Sequence, residues 1–286
     1  MNKVPFYIIT SDQTSFILPV TAYLLNKYWG SEQQFKILGN NKPVAELPSN
    51  FEFIKIKNDN NIQLWSTYIA EYLKHNETND HIMLTLDDYF PNKKLDINVY
   101  NDLVSLAISD DKIGRINVGY FNYNRINQVN IISEKSEYDL FYLNQSVPYR
   151  LTCQTSLWNK SYLIRYFSNN FTPWDLELKG SDMANNDGFH IVGTYKKFAF
   201  DWIQESSLSG RHPGKINVLG LPIEDIRYLI NNNILDKNIV QYGMWQDRPV
   251  IPFNDIGFDF NVEILKDKVD NYTFDELMDH YGHIYK

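Results

Sequence analysis

The sequence predicts an α/β domain built on a mainly parallel sheet. Apolar segments typical of buried strands recur at residues 4–10, 34–38, 51–56 and 82–86. Amphipathic segments with helical spacing lie between them, at residues 15–28 and 62–73. Strands that alternate with helices favour parallel pairing.

Polar residues follow the first and the fourth of these strands. Residues 10–13 (TSDQ) are typical of a turn and a helix start, and the pair Asp87-Asp88 directly follows the strand at residues 82–86. Because ligands bind beyond the carboxyl ends of parallel strands, we expect both groups to lie on the same rim of the sheet.

The later part of the chain predicts a more antiparallel arrangement. A helix is expected from Asp96 to about residue 109, with further strands at residues 114–119, 128–132, 149–154 and 197–204. Two more helices are expected, one at residues 158–167 and one that begins at Pro173 with Thr172 as its cap.

Two regions are expected from the change of character near residue 216. Residues 1–215 form the main domain, and residues 216–286 form a small, mainly helical C-terminal appendage with helices at 223–230 and 274–281. No apolar run approaches the ~20 residues of a membrane span and no signal peptide is recognisable, so we expect no transmembrane segment and a cytoplasmic location.

Charge and cysteine content exclude several classes of function. The net charge is −8 with both signs interspersed, so we expect no nucleic-acid partner. The single cysteine, Cys153, allows no internal disulfide and no cysteine-rich zinc site.

The first candidate site is the acidic pair in the segment HIMLTLDDYF, residues 81–90. Adjacent carboxylates disfavour each other's ionisation unless a divalent cation or exposure to water relieves the repulsion. The pair therefore indicates a metal or phosphate site. The alternative is that Asp87 and Asp88 only cap the next turn.

The second candidate site lies in residues 151–177, where aromatic, amide and acidic side chains surround two expected helix starts. A carbohydrate site combines an aromatic platform with carboxylates and amides, and this segment supplies them at Gln154, Trp158, Trp174, Asp175 and Glu177. Alternatively, the two tryptophans are core anchors and the two acids complement a helix dipole.

Five segments taken in order resemble a known family. They are TSDQ at residues 10–13, PVTAYLLNKYWG at 19–30, LDDYF at 86–90, QTSLWNKSYL at 154–163 and PWDLE at 173–177. This order resembles the small GT-A glycosyltransferases of viruses, phages and bacteria, a group that includes a chlorella-virus glycosyltransferase domain. The resemblance covers about residues 4–205 and not the appendage.

The resemblance implies a GT-A-type α/β fold, a single nucleotide-binding domain with a mixed central sheet flanked by helices. It also implies transfer of a sugar from a nucleotide-sugar donor to a hydroxyl of a glycan or glycoconjugate acceptor, with inversion and with Mn²⁺ or Mg²⁺ as cofactor. Thr10 and Asp12 would line the nucleotide pocket. Asp87 and Asp88 would stand at the family's Asp-x-Asp-like element, with Asp88 the first choice as metal ligand.

The same resemblance implies a general base for the acceptor hydroxyl at Asp175, with Glu177 as substitute. Gln154, Trp158 and Trp174 are the expected acceptor-binding residues. The loop at residues 209–215 is expected to close over the donor, with Arg211 and Lys215 touching phosphate.

Two other functions are compatible with such a chain. A sugar-phosphate nucleotidyltransferase also uses an α/β nucleotide domain, but it usually has a glycine-rich, arginine-containing loop after the first strand, and residues 10–13 contain neither residue type. A non-catalytic carbohydrate-binding protein of the same fold is the other alternative. Substitution of the acids would distinguish binding from turnover.

Overall fold

The fold is known from a computed structural model. It describes residues 4–43, 45–57, 61–119, 129–134, 138–195, 199–200, 202–203, 214, 216–218, 221–243 and 250–252. Arg211, Lys215 and the helix expected at 274–281 lie outside the described residues.

The first part of the chain forms the parallel half of a large sheet. Strand β1 (Phe6–Ile9) lies between β2 (Phe35–Gly39) and β4 (His81–Leu86), and β3 (Phe51–Lys55) pairs with the outer side of β2. All of these pairs are parallel. The carboxyl ends of the four strands therefore lie at one edge, as the repeating strand and helix pattern predicts.

The second half of the sheet mixes both directions. Strand β9 (Ser156–Asn159) lies antiparallel between β4 and β6 (Ile113–Asn117), and β10 (His190–Tyr195) runs parallel to β6. Strands β8 (Asp139–Leu143) and β7 (Val129–Glu134) complete the antiparallel side. The nine strands follow the order β3-β2-β1-β4-β9-β6-β10-β8-β7, and a separate pair joins β5 (Phe90–Pro91) to β11 (Trp202–Ile203).

Helices cover both faces of the sheet because the strands alternate their apolar side chains. Phe6 and Ile8 of β1 point to one core and Tyr7 and Ile9 to the other. The first core includes side chains of α1 (Leu18–Leu25) and α3 (Ile97–Ser109). The second includes side chains of α2 (Trp65–Asn76) and α4 (Lys160–Phe167). This mixed sheet between two helical layers is the predicted α/β architecture.

Irregular turns extend several helices. A 3-10 turn (Ser15–Ile17) precedes α1, and a π-helical turn (Asn26–Gly30) follows it. The predicted helix start at Pro173 is confirmed, because the Thr172 hydroxyl accepts a hydrogen bond from the backbone N–H of Asp175. There α5 (Pro173–Asp175) continues through a π-helical turn (Leu176–Gly180) into α6 (Ser181–Met183).

Two element boundaries differ from the sequence-based expectation. Residues 149–154 are not a strand; the strand here is β9, which begins at Ser156, and Tyr149 takes a left-handed conformation with φ of 57° that breaks an extended chain. The helix expected from Trp158 begins at Lys160, since the Asn159 side chain caps it by accepting the N–H of Tyr162.

Strands β8 and β10 were not expected from the sequence, and the strand expected at 197–204 is represented by β11 alone within the described residues.

The described part of the C-terminal region contains one helix and a small sheet. Helix α7 (Ile223–Asn231) accompanies three short strands, β12 (Ile216–Asn217), β13 (Val240–Gly243) and β14 (Val250–Pro252). Ile226 and Leu229 are buried in the same core as α1. A domain limit near residue 215 stays a prediction. Within the described residues, no helix is both long and apolar enough to span a bilayer.

Candidate active site

A buried carboxylate joins the ends of β1 and β4. Asp87 follows β4 and is 3% exposed, and its Oδ2 accepts hydrogen bonds from the hydroxyls of Thr10 (2.5 Å) and Thr14 (2.6 Å). The Thr21 hydroxyl donates to the backbone carbonyl of Asp87 at 2.7 Å, and the Asp87 N–H donates to the Ile9 carbonyl at 3.0 Å. The expectation that residues 10–13 and the acidic pair share one rim is confirmed.

The environment of Asp87 disfavours its charged form. Burial raises the pKa of this carboxyl from 3.8 to about 6, and the hydrogen bonds from Thr10 and Thr14 offset only part of that effect. Its Oδ2 is already engaged by two hydroxyls. Asp87 therefore has the geometry of a side chain that holds the loop at residues 10–14 in place.

Asp88 is the more accessible acid of the pair. Its side chain is half-buried at the edge where the parallel strands end. Among the residues that the structure describes, no cluster of three or more His, Cys, Asp or Glu side chains is arranged to hold a metal ion. A carboxylate in this position suits Mg²⁺ or Mn²⁺ bound mainly through substrate phosphates, since such ions often take only one or two protein carboxylates.

Asp12 forms the outer part of the same rim. Its side chain is exposed, and its two oxygens accept hydrogen bonds from the backbone N–H (3.1 Å) and side-chain amide (2.7 Å) of Asn41, which follows β2. Thr10, Asp12 and Asp87 thus belong to one connected loop system above β1, β2 and β4.

The rim continues across β9 and β6. The hydroxyls of Thr85 in β4 and Thr155 lie 2.7 Å apart, which joins the residues before the acidic pair to the start of β9. Gln154 accepts a hydrogen bond at 3.0 Å from the side-chain amide of Asn117, the last residue of β6. Because β9 is antiparallel to both neighbours, Gln154 lies at the same edge as Asp87.

Glu177 connects to this edge through Cys153. Its Oε1 accepts the backbone N–H of Cys153 at 2.8 Å. Burial raises the pKa of Glu177 above its usual range, and the Cys153 N–H and the charge of Arg115 oppose the rise. Asp88 acts electrostatically on the Cys153 thiol, as does Glu177. Cys153 is therefore hydrogen-bonded to Glu177 and within electrostatic range of Asp88.

Asp175 has a different environment. Its carboxylate pairs with Lys179 at 2.7 Å and accepts the Thr172 hydroxyl at 2.9 Å. These contacts lower its pKa, with the Lys179 hydrogen bond as the largest cause. A carboxylate stabilised in this way is a weaker proton acceptor than Glu177.

The two tryptophans of this region occupy opposite environments. Trp158 lies in β9, fully buried in the core, so it has the position of a core anchor and does not reach solvent. Trp174 is 64% exposed in the first turn of α5, one residue before Asp175. Of the two rings, only that of Trp174 is accessible to a sugar.

Several residues of the site were not identified from the sequence. Thr14 and Thr21 contact Asp87, and Asn117 contacts Gln154. A hydroxyl four residues after Thr10 in the loop is a signal that could have indicated Thr14. A lone cation inside the apolar strand β6 is a signal that could have indicated Arg115.

The sequence has no match to a protein-family model or to a curated protein. Solved structures of similar shape include a cytidylyltransferase from Leptospira borgpetersenii, at 12% identity over 81% of this chain and 95% of that one, with a TM-score of 0.40.

A second is a mannosyltransferase from Pyrobaculum calidifontis in complex with GDP-Man and Mn²⁺, at 8% identity over 74% of this chain and 60% of that one, with a TM-score of 0.46. A third is TarS from S. aureus, at 11% identity over 71% of this chain and 37% of that one, with a TM-score of 0.40. Values this low assign no activity or substrate to this chain.

Proposed function

We propose that the chain is a glycosyltransferase that moves a sugar from a nucleotide-diphosphate sugar to a hydroxyl of a glycan or glycoconjugate. One observation supports this most strongly. Asp88 at the end of β4 acts electrostatically on the Cys153 thiol, and the half-buried Glu177 accepts the Cys153 N–H, next to the strand edge where α/β sheets bind ligands. The leaving diphosphate and the incoming hydroxyl each need such a group.

The donor side of this proposal uses the rim of β1, β2 and β4. Thr10 and Asp12 contact the nucleoside, and Asp88 binds a Mn²⁺ or Mg²⁺ ion that offsets charge on the diphosphate. Asp87 keeps the loop at residues 10–14 in place through its hydrogen bonds with Thr10 and Thr14, next to Asp88. Arg211 and Lys215 are proposed to add phosphate contacts.

The acceptor side uses Glu177 as general base. It takes the proton of the acceptor hydroxyl as that oxygen bonds to the anomeric carbon and the bond to the diphosphate breaks, a single displacement that inverts the anomeric centre. A pKa raised by burial makes this carboxylate a stronger base than an ordinary glutamate. Asp175 is the second candidate for the base. Trp174 and Gln154 are proposed to contact the acceptor sugar.

A binding and turnover assay tests the proposal. Thermal shifts are measured against a panel of nucleotide sugars with and without Mn²⁺, since a ligand at ~100 times its dissociation constant stabilises by ~2.7 kcal/mol. We expect one donor class to bind in a metal-dependent way. Asp88→Asn should weaken that binding, whereas Glu177→Gln should retain it and lose ~10²- to 10⁴-fold in donor turnover.

Matched variants make the assay specific. Glu71→Gln makes the same chemical change as Glu177→Gln at an exposed position of α2 and should leave turnover unchanged. Asp175→Asn decides between the two candidate bases. Full turnover in both Glu177→Gln and Asp175→Asn would contradict the assignment. Pyrophosphate release from a nucleoside triphosphate and a sugar 1-phosphate would indicate a nucleotidyltransferase, and glycan binding without turnover a carbohydrate-binding protein.

A further inference from the structure

A single peptide group lies between a buried cation and Glu177. Arg115 of β6 is 1% exposed, and its Nη1 donates to the Thr152 carbonyl at 3.2 Å and to the Thr152 hydroxyl at 2.7 Å. The N–H of the following residue, Cys153, donates to Glu177 Oε1 at 2.8 Å. The carbonyl and the N–H belong to the same amide, so the guanidinium and the carboxylate are connected by consecutive hydrogen bonds.

Such a connection transmits polarisation as well as position. A donor on the carbonyl oxygen makes the amide N–H a stronger donor, because hydrogen bonds in a chain reinforce each other in a low-dielectric interior. The positive charge of Arg115 also favours the ionised form of Glu177 directly. Both effects oppose burial, which favours the neutral acid.

We propose that Arg115 is a positioning residue for Glu177, acting through the peptide group between Thr152 and Cys153. The proposal deepens the role of Glu177 as general base and rests on that proposed function. Arg115 itself touches neither donor nor acceptor in this account. It fixes the loop that holds the carboxylate and sets the pH at which the carboxylate becomes a base.

The surroundings of Arg115 favour this role over one in stability alone. Its guanidinium lies 5.5 Å from the ring centroid of Trp158, and its Nε has no hydrogen-bond partner among the residues described. Burial also lowers its pKa to about 10. A buried ionic group is by itself weak evidence for a stabilising role, since a whole buried ion pair can often be replaced by apolar side chains of similar volume without loss of stability.

Other titratable groups act on this pair as well. On the segment of Glu177 itself, Asp175 and Lys179 pair with each other. The groups that act on Arg115 or on the Cys153 thiol from the surrounding elements are Asp88, Arg150, Cys153 and Tyr162. Arg115 is the one cation among them that lowers the pKa of Glu177.

The test is a direct titration of Glu177 in the full chain. Protein labelled with ¹³C at the glutamate carboxyl carbon is titrated by NMR, and the Glu177 signal is identified by its absence in Glu177→Gln. We expect Arg115→Met to raise the pKa of Glu177 by about one unit, because a nearby opposite charge is lost. Arg115→Lys, which keeps the charge, should recover part of the shift.

Arg165→Met is the matched control. It removes an exposed guanidinium that lies over Tyr166 and Phe189, so the pKa of Glu177 should not change. If Arg115→Met does not fold, Arg115→Gln keeps a donor for the Thr152 carbonyl without the charge and makes the same test. An unchanged pKa of Glu177 in a folded, uncharged variant would overturn the proposal.

Turnover measurements separate this proposal from the proposed function. In Arg115→Met the acid limb of the pH profile should move to higher pH by the same amount, with the KM for donor unchanged. If Glu177→Gln retains full turnover while Arg115→Met still shifts the pKa, the catalytic role of Glu177 fails and the positioning role of Arg115 stands. A pKa shift without any change in the pH profile would contradict its link to the reaction.

Discussion

Replacement of Asp87 by asparagine should change how the stability of the protein depends on pH. Burial raises the pKa of Asp87 from 3.8 to about 6 in the folded state. Between these values the folded state binds more protons than the unfolded state, so the free energy of unfolding falls as pH rises. At about 1.4 kcal/mol per pH unit, the difference corresponds to about 3 kcal/mol. Above pH 6 the free energy of unfolding is lower by this full amount, and below pH 3.8 it is not lowered at all.

Urea unfolding followed by tryptophan fluorescence measures the effect. The asparagine side chain in the variant keeps an oxygen that accepts the Thr10 and Thr14 hydroxyls but has no charge to desolvate. Relative to the wild type, the Asp87→Asn variant should therefore gain about 2–3 kcal/mol between pH 4 and pH 7.5. Parallel pH dependence in the two proteins would refute the claim that this carboxyl is buried with an elevated pKa.

Two further substitutions test the exposed Trp174 and the buried Asp225 of α7. Trp174→Ala should change the free energy of unfolding by less than about 0.5 kcal/mol, because Trp174 is 64% exposed. The variant should have a higher KM for acceptor and unchanged donor binding. An unchanged KM for acceptor would show that Trp174 is not part of the acceptor site. Asp225→Ala removes the buried carboxylate of α7 that accepts hydrogen bonds from Lys27, Tyr23 and Tyr28. The variant should lose about 2–3 kcal/mol in the free energy of unfolding measured with urea, less than on breaking a fully buried ion pair because Lys27 is partly exposed. A loss below about 0.5 kcal/mol would contradict a stabilising role of these contacts.

The parallel half of the fold was predictable because its signals are local. Buried segments such as residues 6–9 alternate with amphipathic helices, and the direction of the strands then places Thr10 and Asp87 on one edge. The Thr172 cap before Pro173 is equally local, since it uses a hydroxyl three residues before the N–H it accepts. Patterns of this kind need no knowledge of distant contacts.

The antiparallel half depends on contacts between segments far apart in the chain. Strand β10 contains Gly193, where an added Cβ would lie 2.3 Å from the Phe141 ring of β8. The glycine that weakens the strand signal is therefore the residue that lets the two strands pack. Strand β8 begins with a buried aspartate, Asp139, which a pattern of apolar residues does not predict.

The positions of the acids in the second candidate site could also not be predicted from local sequence. The family resemblance implies Asp175 as the general base, with Glu177 as substitute. The π-helical turn that follows changes the direction of the next side chains, and Glu177 reaches the N–H of Cys153. The contact between Arg115 and Thr152 joins residues 37 positions apart and has no local signal.

We propose that Asp88 and Glu177 lie at one site, which takes the donor diphosphate and the acceptor hydroxyl. Paramagnetic broadening tests it, because Mn²⁺ bound with a donor nucleotide at Asp88 relaxes nuclei near it. We expect the ¹³C-carboxyl signal of Glu177 to broaden when Mn²⁺ and nucleotide are added, and to stay sharp in Asp88→Asn or when Mg²⁺ replaces Mn²⁺. A sharp, unshifted Glu177 signal in wild-type protein saturated with Mn²⁺ and nucleotide would contradict the account.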